Sequence, residues 1–195
     1  MKHFGVRSML FLAGALLLSR SPALADTISV SNANDGFGSS YKLTAGCIGS
    51  LCNVTLSINT KGAKYPEISN VAFKIGSKDS LTGSLTAPTS GWQTYTSSLN
   101  SNSGCGGNNG DGQICSGATA DFADTGGMLT WTWTGVQVSG GVTIGHVGYK
   151  YERSDTFGKG LIVSDDYATT PVPEPHTLGL LAIGLIALVV CRKLA

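Results

Sequence analysis

The chain has 195 residues, 27 of them glycine, and only 13% are charged; its middle is rich in Ser, Thr and Asn, which suits strands and turns and argues against a helical protein. Five of the thirteen basic residues (Lys2, Arg7, Arg20, Arg192 and Lys193) lie near the two ends, leaving eight against twelve acidic residues between Asp26 and Pro175, a net −4. A mildly acidic stretch without a basic stripe cannot neutralise a run of phosphates, so no nucleic-acid partner is expected.

From the N-terminus, residues 1–25 read as a cleavable signal peptide for the general secretion machinery. Lys2 and Arg7 form a basic start, Met9 to Leu18 an apolar run, and Ala23-Leu24-Ala25 a small-residue cleavage site that makes Asp26 the mature N-terminus. The alternative is an uncleaved anchor, but this run is only about half of the roughly 20 residues that a hydrocarbon core requires.

Residues 26–164 are the predicted ectodomain. Strand candidates follow at 27–30, 41–45, 52–58, 71–75, 81–86, 92–97, 129–138 and 142–151. Cys52, Val54, Leu56 and Ile58 alternate with Asn53, Thr55, Ser57 and Asn59. Val71, Phe73 and Ile75 alternate with Ala72 and Lys74, and Leu129, Trp131 and Trp133 with Thr130, Thr132 and Thr134. A period of two marks half-buried strands. Ser139-Gly140-Gly141 lies between two such runs, so 129–138 and 142–151 are expected to pair as a hairpin. Short strands with Gly-rich turns predict an all-β fold, an antiparallel β-sandwich in preference to a barrel. Residues 101–112 read as an external Gly- and Asn-rich loop, and 165–171 as a linker.

Four of the five cysteines fall in the ectodomain, and an even number in an exported domain points to disulfides. Three connectivities are open. Cys47 with Cys52 and Cys105 with Cys115 are favoured, because each pair closes a short Gly-containing loop. The alternative, a four-thiolate zinc site, wants two-residue spacing, whereas the gaps here are four and nine residues. No metal or cofactor is expected.

No catalytic residue is assigned. His146 lies within an alternating run and reads as a surface or packed residue, and no Gly-x-Ser-x-Gly, His-Glu-x-x-His or phosphate-loop motif is present. Asn108-Asn109-Gly110-Asp111-Gly112 has too few carboxylates for a calcium loop and reads as a turn. Asp121, Asp124, Asp165 and Asp166 could supply a carboxylate pair, with solvated loop acids as the default. Trp92, Trp131, Trp133 and Tyr149 are candidate glycan-binding residues, since aromatic faces stack on sugar rings and alternate positions share a face. The competing reading places Trp131 and Trp133 in the core behind their threonine-bearing outer face.

The last segment, 172–195, has three parts: Val172-Pro173-Glu174-Pro175, an apolar run from Leu178 to Cys191, and the basic pair Arg192-Lys193. The proline pair keeps its segment out of helix interiors and central strands, and so accessible to an enzyme. At about 1.5 Å per residue the apolar run reaches some 20 Å as a helix, short of a roughly 30 Å hydrocarbon core. Arg192 and Lys193 hold the C-terminus in the cytoplasm and leave the ectodomain outside. The alternative is a plain single-pass tail anchor. This layout resembles the PEP-CTERM sorting tail. The resemblance implies recognition by a membrane peptidase of the exosortase family, removal of the tail near Pro-Glu-Pro, and a Gram-negative host with exopolysaccharide in its surface matrix. One departure is the ending Arg-Lys-Leu-Ala in place of a longer basic cluster.

Three functions are therefore expected to compete. The first is a non-enzymatic structural or adhesive protein, transiently anchored in the inner membrane and finally at the cell surface or in an exopolysaccharide biofilm matrix. The second is a carbohydrate-binding module using the aromatic strand face, and the third a polysaccharide hydrolase with an unrecognised acidic pair.

Overall fold

Alternating burial organises the first half of the chain. Leu51–Asn59 buries Cys52, Val54, Leu56 and Ile58 and turns the intervening residues outward, as a period-two pattern requires. A computed structural model describes residues 26–100, 102–106, 112–152 and 161–167. The expected signal peptide (1–25), the remainder of the linker and the sorting tail (168–195), and Asn108 to Asp111 lie outside the described residues.

Twelve strands are described: β1 (Asp26–Asn32), β2 (Ser40–Ile48), β3 (Leu51–Asn59), β4 (Glu67–Lys74), β5 (Lys78–Leu81), β6 (Leu85–Thr86), β7 (Trp92–Thr96), β8 (Ile114–Ala118), β9 (Ala123–Asp124), β10 (Met128–Ser139), β11 (His146–Glu152) and β12 (Leu161–Asp166). They form two antiparallel sheets, the sandwich expected from the turns and strand lengths. One sheet has the order β1-β2-β3-β10-β5, with β6 also on β10; the other has the order β12-β11-β4-β8-β7, with β9 on β4. The inner faces meet through aromatic contacts such as Phe73 against Trp133 (4.7 Å) and Tyr41 against Tyr149 (5.8 Å).

Within β10, pairing with β3 shifts between Trp133 and Val136, where Gly135 takes a φ of +71°. The extra residue resets the alternation, so Trp131 and Trp133 point inward and, after the bulge, Val136 and Val138 do so again. Gly140 and Gly141, also at positive φ, then carry the chain out of the first sheet. The expected hairpin is thereby corrected: β10 pairs with β3, β5 and β6, whereas β11 pairs with β4 and β12 in the other sheet. Hydrophobic periodicity identifies a strand but not the sheet it joins.

Other boundaries differ as well. The expected strand over 81–86 is divided between β5 and β6, and β8, β9 and β12 were not foreseen. The linker expected at 165–171 begins two residues too early, because Asp165 and Asp166 pair with Val147 and His146 as the end of β12.

The outer faces of the two sheets are unlike. On the first, Thr55 approaches Thr132 and Ser57 approaches Thr130, each at 3.4 Å, in a half-exposed hydroxyl ladder. On the second, β4, β8 and β11 are buried on both faces. Residues 97–100 and 102–106 lie on this outer face as a strap. Leu99 lies against Gly148, Gly104 lies against the Asn70 side chain, and Cys105 is disulfide-bonded to Cys115 of β8.

Candidate functional site

Both favoured disulfides are present. Cys47 and Cys52 face each other across the β2–β3 turn with Cα atoms 4.1 Å apart, and Cys105 fastens the strap to β8 with a Cα separation of 5.4 Å. Among the described residues, no group of three or more His, Cys, Asp or Glu side chains is placed to hold a metal ion.

The aromatic residues expected to bind glycan lie mostly inside. Trp131, Trp133 and Tyr149 are 0% exposed. The Trp133 indole donates to Ser116 Oγ (2.9 Å), and the Tyr149 hydroxyl donates to Asp35 Oδ2 (2.6 Å). A ring enclosed on both sides cannot stack on a sugar, so the expected aromatic strand face is corrected to a core face. The threonines of β10 occupy the solvent side instead. Trp92 is half-buried, packs edge-on against Trp131 at 5.2 Å and donates to Thr89 Oγ1 at 2.8 Å.

The carboxylates are scattered. Asp121 accepts from Ser90 Oγ at 2.7 Å, Asp124 sits exposed on β9, and Asp165 and Asp166 occupy successive positions on β12, which point to opposite faces. Asp35, not singled out from sequence, holds the edge where β1 and β2 meet β11. Its Oδ1 accepts from the Phe37 and Ser39 N–H groups (both 2.8 Å) and its Oδ2 from the Tyr149 and Tyr151 hydroxyls (2.6 and 2.8 Å). Burial works against the Asp35 carboxylate, but these donors outweigh it and hold its pKa below the ordinary value. The same closeness, with burial the larger cause, pushes the Tyr149 phenol above the usual tyrosine range. The Asn32-Ala33-Asn34-Asp35-Gly36 turn signature was the available clue to this capping loop.

β12, the last described strand, is tied down on both sides. Asn32 Nδ2 donates to Asp165 Oδ2 at 2.9 Å, the Tyr41 hydroxyl meets both Asp165 and the Tyr167 hydroxyl, and the Tyr167 N–H donates to the Gly145 carbonyl at 3.0 Å. On the other face of β12, Asp166 Oδ1 lies 2.8 Å from His146 Nδ1. Of these residues, Gly145, His146, Asp166 and Tyr167 border an open polar cleft of about 650 Å³ that is also lined by Lys74, Ser77, Gln113 and Thr143. Beside it, a Cβ on Gly76 would lie 2.9 Å from Oδ1 of Asp79, which is 0% exposed. Asp79 Oδ2 accepts from the Ile75 N–H at 2.6 Å, while its Oδ1 is buried with no hydrogen-bond partner among the described residues. Burial pushes its pKa up to about 6, against the opposing Ile75 bond.

A family model of the PEP-CTERM protein-sorting motif matches residues 171–193. The chain carries a PEP-CTERM sorting motif. Such a motif marks an exported protein that is transiently anchored in the membrane and processed by exosortase, itself a membrane protein. Among solved structures, the chain is similar to the KRT10-binding region domain of the pneumococcal serine-rich repeat protein PsrP, at 15% identity and a TM-score of 0.32, over 73% of this chain and 98% of that one. No curated protein matches the chain.

The PEP-CTERM match covers the expected sorting residues Val172, Pro173, Glu174 and Pro175 together with Arg192 and Lys193. Five residues, 168–172, separate Pro173 from the pinned Tyr167, so chain geometry caps the distance between them at about 20 Å.

Proposed function

We propose that the protein is a non-enzymatic surface component, released from its membrane tail by exosortase and built into an exopolysaccharide-associated matrix as a structural or adhesive unit. The single observation that carries this reading is the PEP-CTERM motif placed within five residues of a strand edge already locked into the sandwich. Cutting near Pro173 leaves the core intact, because Tyr167 and β12 make their contacts upstream of the cut. The two disulfides suit an oxidising compartment. Fractionation of the native host, alongside a strain lacking the exosortase, tests this. The tail-less form is expected at the surface or in the matrix of the first, with the tailed form accumulating in the membrane of the second. Equal processing in both strains would contradict the proposal.

A second reading, carbohydrate binding, is favoured by the polar cleft, where Tyr167 offers an aromatic side chain and Lys74, Gln113 and His146 offer polar groups. Polysaccharide retention lost on Tyr167→Ala, with the fold intact, would support it.

A further inference from the structure

Lys150 is 4% exposed although it sits on the outer face of its sheet, where a lysine ordinarily reaches water. Two features of the fold enclose it. The strap, held by the Cys105–Cys115 bond, covers this part of the sheet, and a bulge in the β4–β11 pairing changes what lies next to it. Lys150 is the direct register partner of Asn70, while Tyr151 pairs with Ile68, so Ser69 is the extra residue. Ser69 and Asn70 are buried, at 2% and 9% exposure.

Four polar side chains therefore meet in one enclosed space. Lys150 Nζ lies 2.8 Å from Glu152 Oε1. Ser69 Oγ lies 2.7 Å from the same Glu152 oxygen and 2.9 Å from Asn70 Oδ1. Asn70 Nδ2 points to Cys105 Sγ at 3.5 Å. The combination is an amine, a carboxamide, a carboxylate touching the amine, and a hydroxyl joining carboxylate to carboxamide. Directly opposed side chains on an antiparallel pair have Cβ atoms about 5 Å apart, which the four-carbon lysine stem spans.

We propose that Lys150 and Asn70 become joined by an intramolecular isopeptide bond, with Glu152 as the proton carrier. Glu152 takes a proton from the Nζ ammonium, and the freed lone pair attacks Asn70 Cγ, forming the Nζ–Cγ bond. Ser69 Oγ–H donates to Oδ1 as charge develops there. The Cγ–Nδ2 bond then breaks, and the two protons given up by Nζ pass by way of Glu152 to the departing nitrogen. A lysine ammonium and an asparagine carboxamide thus become a secondary amide and one ammonium ion, with Glu152 regenerated and no oxidant or reductant needed. Burial aids the step by keeping water from competing for the amide carbon. The bond would clamp β4 to β11 beneath the strap, within the sheet that runs to the sorting tail.

Mass spectrometry of the exported chain, denatured and with disulfides reduced, decides it. The intact mass is expected to fall one ammonia below that of the processed sequence. Trypsin is expected not to cut after Lys150 and to release a branched peptide carrying residues 65–74. A full mass with cleavage after Lys150 would overturn the proposal and leave Lys150–Glu152 as a buried ion pair. Lys150→Met is expected to abolish the deficit, and a deficit surviving in that variant would also overturn it. Glu152→Gln is expected to yield mostly uncross-linked chain, and complete cross-linking there would contradict the proton-carrier role. Should neither variant fold, the wild-type digest still settles the matter.

Discussion

The two sheets reach the same buried interior by different routes. In the first, β2, β3 and β10 bury every second residue and leave hydroxyls on the other face, so each strand is stabilised by one core. In the second, β4, β8 and β11 are covered on both sides, by the opposing sheet and by a strap that a disulfide holds in place. A face that relies on local alternation can be read along the chain; one that relies on a distant loop cannot.

The largest effect that would sharpen this contrast is Trp133→Ala in the first sheet. Trp133 is 0% exposed and packs on Phe73 across the interface, so its removal leaves a cavity and is expected to cost about 3 to 5 kcal/mol in urea unfolding. A loss under 1 kcal/mol would mean that the interface is not the main core.

Breaking the disulfides separates the sheets more selectively. Paired Cys→Ser changes at 105 and 115, or at 47 and 52, are each expected to cost about 2 to 3 kcal/mol by loop closure. Only the 105/115 pair should also expose β4 and β11 to hydrogen exchange, because only that bond holds the strap. Equal protection in both variants would break the comparison.

A smaller effect lies where the sheets join. Asp79 of β5 holds the Ile75 N–H at the end of β4, and its pKa is raised to about 6. Between about pH 4 and pH 6 the folded chain keeps a proton that the unfolded chain has lost, so this group's contribution to stability falls as pH rises through that window and stays low above it. Asp79→Asn is therefore expected to stabilise the protein by about 2 kcal/mol at pH 8, with the gain disappearing below pH 4. A gain independent of pH would contradict the assignment.

The same contrast explains what could be read in advance. β3 and the first half of β10 were visible because Val54, Leu56, Trp131 and Trp133 alternate with polar neighbours, and the cysteine pairs because their loops are short. β8 was not, because Ile114-Cys115-Ser116-Gly117-Ala118 is covered on both faces and carries no period of two. β12 ends in Asp165 and Asp166, which read along the chain as the start of a linker; at a sheet edge they find Asn32, Tyr41 and His146 instead. Tyr149 reads along the chain as a glycan-binding candidate, whereas it is buried in the core, and the burial of Lys150 next to it depends on a strap more than forty residues away, which no local pattern encodes. The sorting tail was legible for the opposite reason: its message lies in contiguous residues of the chain.

The most direct test is the intact mass of the protein taken from its native host. A chain beginning at Asp26 and ending near Pro175, with both disulfides formed, is the expected result. A soluble, reduced cytoplasmic chain still bearing Met1 and the segment from Leu178 to Ala195 would contradict export and sorting together.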